Sequence, residues 1–97
     1  MSAKHTSGPW SVIEHSWSRT GIYAGDKGIA ALDIYDEATE ENEDALGAEM
    51  LANARLIAAA PDLLAALMRC KFDSLNMSLD DLKFCRAAVA KAIGEAA

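Results

Sequence analysis

The residues able to do chemistry in this chain are few, and their spacing argues against catalysis. His5 and His15 are the two histidines, and Cys70 and Cys85 the two cysteines. A structural zinc site takes four such ligands in closely spaced pairs. Here the cysteines stand fifteen residues apart and neither histidine shares a ligand spacing with them, so no metal is predicted. No local motif joins a serine or cysteine to a histidine as nucleophile and base, and the glycines do not spell a phosphate loop. Carboxylates are plentiful but bunched. Asp36, Glu37, Glu40, Glu41, Glu43 and Asp44 make up six of the nine residues 36–44, with no base among them. Paired acid–base catalysis by carboxyl groups needs the two placed across a reacting bond, which one run does not supply. The expectation is a protein that is not an enzyme and carries no cofactor.

Binding residues are easier to nominate. Trp10, Trp17, Tyr23 and Tyr35 fall in segments with strand patterns. Such rings dominate interaction hot spots, and they are equally ordinary in cross-strand packing. Trp10 reads as core. Trp17, flanked by Ser16, Ser18 and Arg19, divides evenly between core and surface. The acidic segment has two readings as well. It is either a solvated loop feeding carboxylates into a helix N-terminus, where the dipole favours them, or a negative patch for a basic partner. Arg55 sits on an otherwise apolar helix. Its guanidinium either snorkels to a carboxylate such as Glu49 or Asp62 or contacts an anion. The nominated partner-binding set is Trp17, Arg19, Tyr23, Tyr35, Glu37, Glu40, Glu41, Glu43 and Arg55.

These residues must be positioned by a small α+β fold: a three-stranded antiparallel meander followed by three helices packed on one face. Ninety-seven residues make a single domain with a modest core. It divides into a flexible arm over 1–8, a sheet over 9–35, an acidic loop over 36–44 and a helical part over 45–97. Strand patterns run from Trp10 to His15, from Trp17 to Ala24 and from Ile29 to Tyr35. Thr20, Ile22 and Ala24 share one face of the second, and Ala30, Leu32 and Ile34 one face of the third. Gly25-Asp26-Lys27-Gly28 is the turn between them.

The helical part begins with the most helix-prone stretch, 52–67, rich in alanine and leucine. Pro61 interrupts it, because its ring collides with the Ile57 carbonyl and donates no hydrogen bond. Two helices, about 44–60 and 61–71 with Pro61 at the first position of the second, are predicted. One kinked helix is the alternative. Leu64 is expected at the centre of the helix–sheet contact. Ser78 and Asp81 suggest a capping box, and Met77 and Leu82 a hydrophobic staple, for a last helix over 79–95. Leu82, Cys85, Val89 and Ile93 form its predicted buried stripe, flanked by Leu79, Phe84 and Ala88. The cysteines are expected to be partly buried thiols rather than a disulfide.

Two segments carry a resemblance. His5-Thr6-Ser7-Gly8-Pro9-Trp10 and Asn53-Ala-Arg-Leu-Ile-Ala-Ala-Ala-Pro-Asp-Leu-Leu64 resemble the paired motifs of a family of small tailed-bacteriophage and prophage proteins. The resemblance brings no catalytic residue to this chain. It implies a phage gene and action in the bacterial cytoplasm. The net charge of −6 argues against direct nucleic-acid binding. No apolar run approaches membrane-spanning length, and the polar start Met1-Ser2-Ala3-Lys4 predicts no signal peptide. The expected function is that of an accessory protein acting by binding. The sharper reading is an inhibitor of a host protein or defence system, of the anti-CRISPR kind, whose acidic loop occupies a nucleic-acid site. The alternatives are an oligomeric sponge for a nucleotide signal and a virion structural or assembly protein. The partners expected are a host bacterial protein and a second copy, as a homodimer or higher oligomer, because so much alanine and leucine is hard to cover within one short chain.

Overall fold

Gly25 adopts φ +61°, a left-handed angle that costs glycine nothing. With Asp26 it closes a two-residue hairpin between β2 (Arg19–Ala24) and β3 (Lys27–Asp33). β1 (Ser11–Glu14) pairs antiparallel with the other edge of β2, in the order β1-β2-β3. Three helices follow: α1 (Glu43–Ala58), α2 (Ala60–Arg69) and α3 (Leu79–Ile93). The fold is therefore α+β, a three-stranded antiparallel sheet followed by three helices. The computed structural model describes residues 4–69 and 78–94. Cys70, the 71–76 connector and Met77 of the expected staple lie outside them.

The alternation read for β2 is observed. Thr20 and Ile22 are fully buried beneath α1, while Arg19 and Tyr23 occupy the outer face. β3 departs from it. Ile22 pairs with Ala30 but Tyr23 pairs with Gly28, leaving Ile29 as an extra residue. At this bulge Ile29 packs on the core and Ala30 is exposed, while beyond it Leu32 packs on the core and Ile34 is buried, as the alternation predicts. The central cluster is Ile22, Ala54 and Ala58, with Trp10, Val12, Leu32 and Ile57 around it. Trp10 is thus half-buried against the core, and its indole N–H donates to the Thr6 carbonyl at 3.1 Å.

That contact changes the picture of the arm. Gly8 lies against Pro61 at the elbow between α1 and α2. A Cβ placed on Gly8 would stand 3.0 Å from the Pro61 Cβ, so glycine permits the approach. The two segments that carry the family resemblance therefore touch each other.

Pro61 breaks the helix as its chemistry requires. α1 ends with the Ala59 N–H donating to the Arg55 carbonyl, α2 begins at Ala60, and the axes differ by 45°. Pro61 is the second residue of α2, one place later than expected, a shift within the ambiguity of helix ends. No single helix among the described residues is long and apolar enough to cross a membrane. α1 and α2 together reach that length and hydropathy, but they are bent. The capping box of α3 is present: the Ser78 hydroxyl accepts from the Asp81 N–H at 3.0 Å, and the Asp81 carboxylate accepts from the Ser78 N–H at 3.3 Å. Gly94, at φ +78°, ends the helix in the left-handed cap.

Two burial expectations are overturned. α1 is the helix that lies on the sheet, whereas α2 packs on α3 and does not reach the strands. Leu64 is therefore not at a helix–sheet contact and stands 44% exposed. The α3 stripe is turned outward too: Leu82, Val89 and Ile93 are exposed, and Ala88 and Ala92 are buried in their place. The reason is size. Ala66 on α2 and Ala88 and Ala92 on α3 let the helices approach closely, and helix separation is set by the side chains at the contact. Leu64→Ala is accordingly expected to cost the single chain about 1 kcal/mol, not the 2–4 kcal/mol of a buried leucine. Urea denaturation at low protein concentration measures the difference.

Candidate binding surface

Backbone hydrogen bonds tie the β1–β2 loop to the end of β3 and so bring two aromatic rings together. Within the loop, the His15 and Ser16 N–H groups donate to the Arg19 carbonyl at 3.0 and 3.2 Å. The Ser18 N–H donates to the Ser16 hydroxyl, and the buried Ser18 offers its carbonyl to the Ile34 N–H at 2.9 Å. One residue on, the Tyr35 N–H donates to the Asp33 carboxylate at 2.8 Å. Trp17 and Tyr35 consequently stand with ring centroids 6.1 Å apart and planes at 42°. Both remain largely exposed, at 56% and 67%. For Trp17 this decides the question in favour of the surface.

The acidic segment adjoins them as a folded ramp. The Glu37 and Ala38 N–H groups donate to the Ile34 carbonyl, and the Glu43 N–H donates to the Thr39 carbonyl at 2.9 Å. Asn42 staples the turn: its side-chain oxygen accepts from the Thr39 N–H, and its NH2 donates to the Glu37 carbonyl. The carboxylates of Glu37, Glu40, Glu41 and Glu43 all face solvent. Glu43 and Asp44 form the first turn of α1, where the dipole favours them.

An open cleft of about 330 Å³ lies between the Trp17 side chain and the start of α1, lined by Trp17, Glu43, Asp44, Gly47 and Ala48. A second, of about 310 Å³, lies across α1 and is lined in part by Glu37, Glu49, Met50 and Asn53. An indole face beside two carboxylates suits a cation: guanidinium and ammonium groups are drawn to aromatic faces and to negative charge alike. The helix N-terminus opposes a cation with roughly half a positive charge, against two full negative charges from Glu43 and Asp44.

The other nominated residues lie elsewhere. Tyr23 is on the outer face of the sheet, its hydroxyl 3.1 Å from the His15 Nε2. Its ring covers Gly21, where a Cβ would come within 2.5 Å of the Tyr23 Cε1. Arg19 is exposed and registers opposite Asp33. Arg55 reaches neither Glu49 nor Asp62. Asp62 is held by the Lys91 ammonium at 2.6 Å, and the Arg55 guanidinium lies along Gly94 at the C-terminal end of α3, where the dipole favours a cation. Asp44, Gly47 and Ala48 are absent from the expected set; Gly47 stands four residues from Glu43 on α1, and Gly47 and Ala48 stand three and four from Asp44, the helical spacing that groups them. Among the described residues, no group of three or more histidine, cysteine or acidic side chains is placed to hold a metal.

The geometry defines a small α+β protein with an exposed aromatic pair and an open cleft at the acidic start of α1. The chain belongs to the family of Salmonella phage P22 protein Y8K6, whose model matches residues 1–96. It is thus a small phage-encoded protein. Searches of the curated proteins and of the solved structures found no match.

Proposed function

We propose that this phage protein acts by binding, not catalysis, and that its target is a basic surface of a host bacterial protein in the cytoplasm. The observation that carries the reading is the exposed Trp17–Tyr35 pair, with Trp17 beside Glu43 and Asp44 in a run that holds seven acidic and no basic residues over 36–49. The aromatic pair supplies contact area at low entropic cost, and the carboxylates supply sign. The sharper form is an inhibitor of a host defence system, of the anti-CRISPR type. There the acidic ramp occupies a basic site built for nucleic acid.

The test is capture from a host lysate by the immobilised full chain, followed by titration of whatever protein is retained. Trp17→Ala is expected to weaken binding at least about tenfold, the scale of a hot-spot aromatic. Replacing Glu37, Glu40, Glu41 and Glu43 with glutamine should abolish retention, and native retention should fall as salt rises from about 0.1 M to about 1 M. All five side chains are exposed, so the fold is expected to survive the changes. Equal retention by wild type and both variants overturns the reading.

A further inference from the structure

We propose that the α2–α3 hairpin is a homodimer interface, in which two copies pack the same apolar face against each other about a twofold axis. The helices of the hairpin run antiparallel. Asp62 pairs with Lys91, the Cys85 thiol donates to the Ala66 carbonyl at 3.7 Å, and Arg69 approaches Asp81 at 3.7 Å. Taking buried Ala66 and Ala88 as the inward directions, Leu67 lies about 100° round from the first. Leu82 and Val89 lie about 120° and 100° round from the second in the same sense. In an antiparallel pair, equal senses fall on one side. The hairpin therefore has an apolar side, made by Leu64, Leu67, Leu79, Leu82, Val89 and Ile93, all of them exposed. Its other side carries the Asp62–Lys91 pair and the Arg69 guanidinium 3.9 Å over the Phe84 ring. A groove of about 320 Å³ runs along this side past Leu82, Cys85, Val89, Ala90 and Ile93, with Arg86 at its edge, and no described element covers it.

Three observations select a second copy as the occupant. The first is the seam itself. Leu79, Leu82, Arg86, Val89 and Ile93 are spaced three, four, three and four, the heptad spacing by which helices interlock with their own kind. The second is area. Six aliphatic side chains, each about half exposed, offer roughly 500 Å² per copy, and thus about 1,000 Å² across a twofold contact. That is the floor for a specific interface. The third is charge. The described hairpin residues, 60–69 and 78–94, hold three acidic and four basic side chains, whereas 36–49 holds seven acidic and none basic. α1 spans about 24 Å between the acidic head and the hairpin, well beyond the screening length of about 8 Å. A hairpin-to-hairpin contact thus joins the near-neutral ends and keeps the acidic ends apart. The shape agrees: the radius of gyration is 16.1 Å, against about 13 Å for a compact chain of this length.

Sedimentation equilibrium of the full chain tests the proposal. Wild type is expected at twice its 10.3 kDa single-chain mass by about 100 μM. Val89→Asp and Leu67→Asp should each return it to the single-chain mass with unchanged helical circular dichroism, since both positions are exposed in one copy. Ile13→Asp, on the exposed edge strand, should leave the doubled mass intact. Should an aspartate prevent folding, the milder pair Leu67→Ala and Val89→Ala reads the same contact, with dissociation raised at least about tenfold. A single-chain mass for wild type at every concentration overturns the proposal, as does a doubled mass that survives the folded variants.

Discussion

Ile22→Ala is expected to lower stability by about 4 kcal/mol, and with it the melting temperature by roughly 15–30 °C. Ile22 is wholly inaccessible, on the central strand, and packs on Ala54 and Ala58 of α1. The cost of removing a core side chain depends on how far its surroundings close into the space. Alanines have no side chain to swing, so the cavity stays open and the loss falls in the upper part of the range of about 2–5 kcal/mol. A domain of this size holds only about 5–15 kcal/mol in all, so the variant is left near the edge of folding. Urea denaturation of wild type and variant at one matched protein concentration measures it, matched because self-association adds to apparent stability. A loss under about 1 kcal/mol would show that the helix and sheet close on the gap.

Ala54→Leu should be nearly as damaging, about 2–3 kcal/mol, for the opposite reason. Ala54 is fully buried where α1 meets β2, and three added carbons must push the helix off the sheet or force a strained rotamer. Helix propensity cannot account for a loss of that size, because alanine and leucine differ little in it. Ala52→Leu on the exposed side of the same helix is the control, with stability expected within about 0.5 kcal/mol of wild type. Matching denaturation midpoints for the two variants would mean that α1 does not rest on the sheet through its alanines.

The candidate surface was legible in parts. Trp17, Tyr35 and the acidic run stand out as residue types, and Glu43 was chosen for its charge. Their meeting was not legible, because it depends on the Ser18 carbonyl accepting from the Ile34 N–H, a bond between residues sixteen positions apart. Tyr23 was nominated on the same grounds as Tyr35, yet the pleat places it on the outer face over Gly21. Arg55 had two imagined partners, and it lies instead along the end of a helix that begins more than twenty residues later.

The sequence by itself determined what depends on neighbouring residues. The three strands, the Gly25 turn, the break at Pro61 and the Ser78–Asp81 capping box all follow from backbone angles and hydrogen bonds within a few positions. The tertiary structure alone decided which side of each element is inward. A period of 3.6 shows that α3 has an apolar stripe, but it does not say whether this chain or another covers it. In the single chain the buried contacts went to Ala66, Ala88 and Ala92, because small side chains let helices approach most closely. Leu64, Leu82, Val89 and Ile93 were left facing outward. The bulge that turned Ile29 inward shows the same physics in the sheet: one extra residue interrupts an alternation that local spacing can only extrapolate.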